Sequence, residues 1–287
     1  MPFIARRDLM SKRITGYVNW RRNRSASHQS ETLAGLLADA RRRAPDHYAV
    51  TGDLVNLGLD AEIANARTWL HTVGDPQHVS VVCGNHDAYV RGSLERALAS
   101  WQPWCAGDDG RTVSGDDDYP VLWRRDDISI IGCNSARATA PFLATGYFRE
   151  GQAGRLARVL EREGREGRCR IVLIHHPPVR QAAPLHKRLI GQSLFRKVIA
   201  AHGAELVLHG HTHLNTVFHI RGPHKPVAVV GVPSGAQAPL AVLRKPAARY
   251  NLFNISRGPR GWSIALQEYG YSGPGAGVGL IAKKQIL

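Results

Sequence analysis

Four short apolar runs in this chain end in residues that bind divalent metals. Tyr48-Ala49-Val50 leads into Thr51-Gly52-Asp53-Leu54-Val55-Asn56, and Val79–Cys83 into Gly84-Asn85-His86-Asp87. Ile171–Ile174 leads into His175-His176-Pro177-Pro178, and Leu206–His209 into Gly210-His211-Thr212-His213. Carboxylate, carboxamide and imidazole donors without thiolate suit Mn, Fe, Zn or Co, and argue against an iron–sulfur cluster. A carboxylate shared by two such ions, about 3.5–4 Å apart, creates a hydroxide at neutral pH and clamps both oxygens of an in-line phosphoryl displacement. Asn85 is a neutral oxygen ligand, so it leaves a metal more Lewis-acidic than a carboxylate does. His86 follows it directly and points elsewhere, and a histidine of ordinary pKa suits protonation of an alkoxide leaving group. Each tip alone is an ordinary turn or a packed histidine, but the ordered set of four is not.

The elements that must position these tips are strands joined by crossover helices. Strands are expected at His47–Val50, His78–Cys83, Ile128–Cys133, Arg170–Ile174 and Glu205–His209, from short β-branched runs. Helices are expected at Glu31–Arg43, Asp60–His71, Gly92–Trp101, Glu150–Glu163 and Gln192–His202, the first with Leu33, Leu36, Leu37 and Ala40 on one face. Helices between successive strands imply a largely parallel sheet. Ligands then bind outside the carboxyl ends of the strands, so the four tips converge on one crevice. Gly52, Gly84 and Gly210 permit the sharp turn after each strand. Beyond about residue 214 the pattern becomes a meander, with Val217–Arg221, Val227–Gly231, Leu240–Leu243, Tyr250–Ile255 and Trp262–Glu268. A single domain is expected over 1–270, followed by an irregular tail over 271–287.

Composition bounds the rest. The chain has 287 residues, 43% hydrophobic and 21% charged, which is globular composition and excludes wholesale disorder. No apolar window is long enough for a membrane helix, and the start has no secretory h-region. Cys83, Cys105, Cys133 and Cys169 form no CxxC pair and read as buried free thiols of a reducing compartment, hence a cytoplasmic protein. The formal charge is +15, with 31 arginines among the 38 basic residues. That admits an anionic partner, nucleic acid included, although the clusters Arg21/Arg22/Arg24, Arg41–Arg43 and Arg124/Arg125 are dispersed and carry no nucleic-acid motif. The Asp-rich stretch Gly107–Tyr119 does not have calcium-loop spacing and reads as a solvated loop.

The ordered set GD-x-x-N (Gly52, Asp53, Asn56), GNHD (Gly84–Asp87), HHPP (His175–Pro178) and GHTH (Gly210–His213) resembles the calcineurin-like metallophosphoesterases. Within them it is most similar to the bacterial branch that includes class III cyclic-nucleotide phosphodiesterases. The resemblance covers about residues 11–270. It implies a four-layer α/β/β/α sandwich with a binuclear centre of two divalent ions at the sheet edge. Carried over by motif, Asp53 bridges the metals, Asn85, His175 and His211 complete the second site, and His213 binds the first. His86 protonates the leaving oxygen with Asp87 orienting its ring, and His176 helps stabilise charge around a phosphorus attacked by metal-bridging hydroxide. The expected activity is phosphodiester hydrolysis, on a cyclic nucleotide, a nucleic-acid end or a lipid headgroup.

One family motif is missing. The family's first strand ends in D-x-H, two ligands of the first metal, and no such motif precedes Asp53. Asp8-Leu9-Met10 is rejected, because Phe3–Arg7 is too short and charged for a buried strand and Met is a poor ligand for a hard ion. The expectation is that Arg6–Trp20 is the connector after a first strand lying upstream of Met1. The first metal site is then under-occupied and activity is weak. The alternative is a non-catalytic metal- or phosphate-binding member of the family.

Overall fold

The computed structural model describes residues 12–14, 16–17, 30–239, 245–259 and 261–287. Its helices are α1 (Ser30–Arg42), α2 (Asp60–Val73), α3 (Ser93–Cys105), α4 (Glu150–Arg165) and α5 (Gln192–His202). A six-stranded sheet is built from β3 (Val121–Arg125), β4 (Ile128–Cys133), β6 (Cys169–Ile174), β8 (Leu206–His209), β10 (Val227–Gly231) and β9 (Thr216–Ile220), in that spatial order. Strands β4, β6, β8 and β10 run parallel, and β3 and β9 close the edges antiparallel. Two further strands, β1 (Tyr48–Val50) and β2 (Val79–Val81), pair in parallel. An antiparallel meander joins β11 (Arg249–Gly258), β12 (Gly261–Tyr271) and β13 (Val278–Gln285). A small parallel pair, β5 (Gly146–Tyr147) with β7 (Leu189–Ile190), sits on the loops.

Period-two alternation sorts the central strands into two cores. Ile171, Leu173, Leu206, Leu208, Ala228 and Val230 face a core shared with Val79 and Val81 of β2, Ile63 and Leu70 of α2, Leu98 and Trp101 of α3, and Ile264 and Leu266 of β12. The alternate residues Val172, Ile174, Val207 and Val229 face Leu156 and Leu160 of α4 and Phe195 and Ile199 of α5. The layers are therefore α4 and α5, the six-stranded sheet, the two smaller sheets, and α1 to α3. This is the expected α/β/β/α arrangement. Being covered on both faces is why β6, β8 and β10 read as continuous apolar runs.

Three expectations change. The 271–287 segment is not an irregular tail, because β13 pairs along β12 from Tyr271↔Val278 to Ala265↔Gln285. Its Gly-rich start masked a strand whose far end is polar. β3 was not foreseen either, since Val121–Arg125 ends in two arginines. Arg124 binds the buried Glu163 carboxylate and Arg125 binds Asp108, so this pair is engaged within the fold. The expected strand Leu240–Leu243, the Asp8-Leu9-Met10 segment, the cluster Arg21/Arg22/Arg24 and most of the Arg6–Trp20 connector lie outside the described residues. All four cysteines are buried free thiols. No helix among the described residues is long and apolar enough to cross a membrane.

Candidate metal centre

Two pairs of adjacent parallel strands bring their carboxyl ends to one place. β1 and β2 deliver Asp53 and Asn85, while β6 and β8 deliver His175 and His211. Across the gap, His175 Nε2 lies 3.3 Å from Asp53 Oδ2 and 3.3 Å from Asn85 Oδ1. His211 Nδ1 lies 2.8 Å from the same Asn85 oxygen. The turns after β1 and β2 need glycine. A Cβ on Gly52, whose φ is 94°, would stand 2.6 Å from the Gly84 nitrogen. One on Gly84 would collide with the Asp53 carboxylate and the His175 ring. Asp53, His211 and His213 themselves hold φ of 62°, 65° and 56°. Non-glycine residues in that region are costly and collect at functional sites.

The orientation of the donors argues for a cation. His175 Nδ1–H donates to the Thr51 carbonyl at 2.6 Å, and His211 Nε2–H donates to the Lys187 carbonyl at 2.8 Å. Carbonyls on the outer nitrogen fix the tautomer of metal-binding histidines in this way. The inner nitrogens, the Asp53 carboxylate and the Asn85 oxygen are then four lone-pair atoms facing one another. A cation about 2.0–2.2 Å from each ligand atom sets edges of about 2.8–3.6 Å between ligands. The separations above match, so the residues present fit a divalent ion. Protonation reflects the same crowding. Burial opposes the charge on Asp53 and on His175, yet Asp53 is held well below the usual carboxylate range by His175 and His86. His175 is raised by Asp53. Burial, then the neighbouring His175, takes His211 down to about 3.

Asp87 and His176 have different jobs from those expected. Asp87 is fully buried, and its two oxygens accept N–H bonds from Asp53, Leu54, Val55 and Gly84 at 2.7–3.2 Å. It bolts the loop after β1 to the loop after β2. Burial and the nearby Asp53 push its carboxyl up to about 7 against those N–H donors. The group on His86 Nδ1 is instead the Asn56 carbonyl, at 2.6 Å. That leaves Nε2 as the nitrogen for proton transfer, and the His86 backbone N–H also holds Asp53 Oδ1 at 2.9 Å. His176 is fully buried, with Ser135 Oγ on Nδ1 at 2.8 Å and the Ala144 carbonyl on Nε2 at 3.2 Å. Burial, then His211 and His175, keeps it far below the usual histidine range, hence neutral. A neutral ring with both nitrogens engaged is a poor charge stabiliser. It serves as a wall, its centroid 4.3 Å from that of His211, although it also belongs to a possible metal-holding trio with His175 and His211. His213 stands half-buried two residues beyond His211 on the same loop. Sequence reasoning missed Ser135 and the carbonyls of Thr51, Asn56 and Lys187. Backbone groups carry no residue signature, and Ser135 is one serine among many.

A family model described as calcineurin-like phosphoesterase matches residues 26–215, which contain all four tips. The chain belongs to the calcineurin-like phosphoesterase family. Among solved structures it is similar to a dimetal phosphatase from Danio rerio, with 14% identity and a TM-score of 0.60 over 89% of this chain and 88% of that one. It is less similar to the sulfate thiohydrolase SoxB from Thermus thermophilus, at 15% identity and TM-score 0.46 over 89% of this chain and 42% of that one. A Vps29 double mutant from Entamoeba histolytica gives 13% identity and TM-score 0.43 over 92% and 93%. No curated protein matches the chain. The first of these structures supports the shared fold, and the family model supports a hydrolase of phosphoric esters that uses divalent metals.

Proposed function

We propose that this protein hydrolyses phosphodiesters, with Asp53, Asn85, His175 and His211 holding one divalent ion and Asp53 with His213 contributing to a second. The observation that carries the reading is the set of four lone-pair atoms from two sheets, facing one another at ligand–ligand distances. A divalent ion there supplies a Lewis acid for a phosphoryl oxygen and lowers the pKa of water. The chain supplies the rest. Thr51 and Lys187 carbonyls fix the two histidine tautomers, Asp87 keeps the Asp53 and Asn85 loops in register, and His176 walls the pocket. His86, held by Asn56 at Nδ1, gives a proton from Nε2 to the departing oxygen. The resemblance to class III cyclic-nucleotide phosphodiesterases supports the diester over the monoester. A second reading, a non-catalytic metal or phosphate binder, is favoured by the lack of a D-x-H motif before Asp53. Bis(4-nitrophenyl) phosphate separates the two. Turnover that appears with added Mn(II) and vanishes in His211→Ala supports the enzyme, whereas metal binding without turnover supports the binder.

A further inference from the structure

A cavity of about 380 Å³ adjoins the proton donor, lined by Lys12, Tyr89, Val90, Arg91, Ala138, Thr139 and Ala140. None of these side chains is acidic. The Tyr89 ring lies parallel to His86, with centroids 5.6 Å apart and planes within 13°. Lys12 Nζ sits 4.8 Å above the Tyr89 ring, donates to Thr139 Oγ1 at 2.7 Å and to the Leu143 carbonyl at 2.9 Å. The segment that carries Lys12 is seated with it: a Cβ on Gly16 would collide with the Tyr89 hydroxyl, and Arg13 is buried on the Leu57 and Gly58 carbonyls. Arg91 is exposed at the rim and has no carboxylate partner among the described residues. Two cations and a hydroxyl on a wall shared with the general acid form a polar slot on the side of the leaving group, not of the attacking water.

Resting on the phosphoesterase reading, we infer that this cavity holds a second phosphate carried by the leaving alcohol, so the substrate class is a phosphoester of a phosphorylated alcohol. Arginine and lysine together supply the forked and the point-charge donors that phosphate oxygens take. Burial lowers Lys12 to about 8, and an anion in the cavity returns the interaction that desolvation removed. In the reaction, water adds to phosphorus and the bond from phosphorus to the alcohol oxygen breaks. His86 gives that oxygen its proton, and the alcohol stays in the cavity by its own phosphate until release. The seven lining residues include no large apolar surface for a bare aromatic leaving group, so a nitrophenyl ester uses none of these contacts.

The test compares the dinucleotide adenylyl-adenosine with its 3′-phosphorylated and 5′-phosphorylated forms, by calorimetric Kd and by kcat/KM. The 3′-phosphorylated form places the extra phosphate on the departing 5′-hydroxyl nucleoside, and the 5′-phosphorylated form places it on the other side. The expected result is an advantage of about ten-fold or more for the 3′ form alone, of the size that charge-assisted bonds give. It shrinks in Lys12→Ala and in Arg91→Ala and disappears in the double variant. Because each variant is read as a ratio between two ligands, a general loss of fold or metal cancels. Equal handling of the three dinucleotides, the same gain for the 5′ form, or an advantage that survives the double variant overturns the inference. If the Kd advantage stands while neither the dinucleotides nor bis(4-nitrophenyl) phosphate is hydrolysed, the phosphoesterase reading fails and the phosphate subsite survives.

Discussion

The two halves of the metal centre are held in place by different forces. His175 and His211 leave β6 and β8, central strands with helices on one face and a second sheet on the other, and apolar packing fixes them. Asp53 and Asn85 leave β1 and β2, a pair in which Ala49 is exposed and the neighbouring Tyr48 and Val50 are only half-buried. Among the described residues, β1 has no partner strand on its other edge. What fixes this half is one buried carboxylate, Asp87, on four backbone N–H groups. A site built across two sheets can thus use dispersion on one side and hydrogen bonds on the other. The hydrogen-bonded side depends far more on a single residue.

The largest effect is expected from cutting that bolt. Asp87→Ala strands four backbone donors, each worth about 1–3 kcal/mol when left unpaired. Some will find water, so a loss of about 4–6 kcal/mol in unfolding free energy is expected, with loss of tight metal binding. Denaturant melts and metal analysis of the same samples check it. A variant with near-normal stability would mean the β1 half is held by something else.

His86→Ala comes next, and it separates chemistry from architecture. Turnover of bis(4-nitrophenyl) phosphate should fall about 10²–10⁴-fold, as for loss of a general acid, with metal content unchanged. Metal leaving together with activity would make His86 a ligand and join it to the β1–β2 half.

The smallest effect lies on the packed side. Glu163 is buried beneath Arg124, Ser129 and Arg162, and although burial raises its carboxyl, their hydrogen bonds win and bring it to about 2. A carboxylate lowered in the folded state stabilises above its unfolded pKa of about 4.3 and loses that contribution as pH falls toward 2. Glu163→Gln should cost about 1–3 kcal/mol at pH 7, and the difference from wild type should vanish near pH 2. Metal affinity should not move. A shift in metal affinity would couple the helix-covered side to the centre and erase the distinction drawn above.

How much of this was readable from the residues follows the same division. The central strands announced themselves as apolar runs, and Gly-then-ligand at each tip gave Asp53, Asn85, His175 and His211 as one constellation. The helix-covered layers followed from alternation of elements. The polar bolt was not readable, because Asp87 adjoins His86 in sequence and a carboxylate beside a histidine suggests a pair. Only the fold shows its oxygens turned to the backbone of residues 53–55. His176 misled for a related reason: adjacent histidines look alike, and burial alone distinguishes the ligand from the wall. β13 escaped because an edge strand with lysines at its end carries no strong period.

The central claim, that Asp53, Asn85, His175 and His211 form one cation site across two sheets, is tested most directly by metal stoichiometry. Protein equilibrated with Mn(II) or Zn(II), freed of loose ions and analysed by plasma mass spectrometry should hold one tightly bound ion per chain. That ion should be absent from Asp53→Ala and from His211→Ala alike, since each sheet supplies half of the ligands. No bound ion in the wild type, or an ion retained in either variant, would contradict the account.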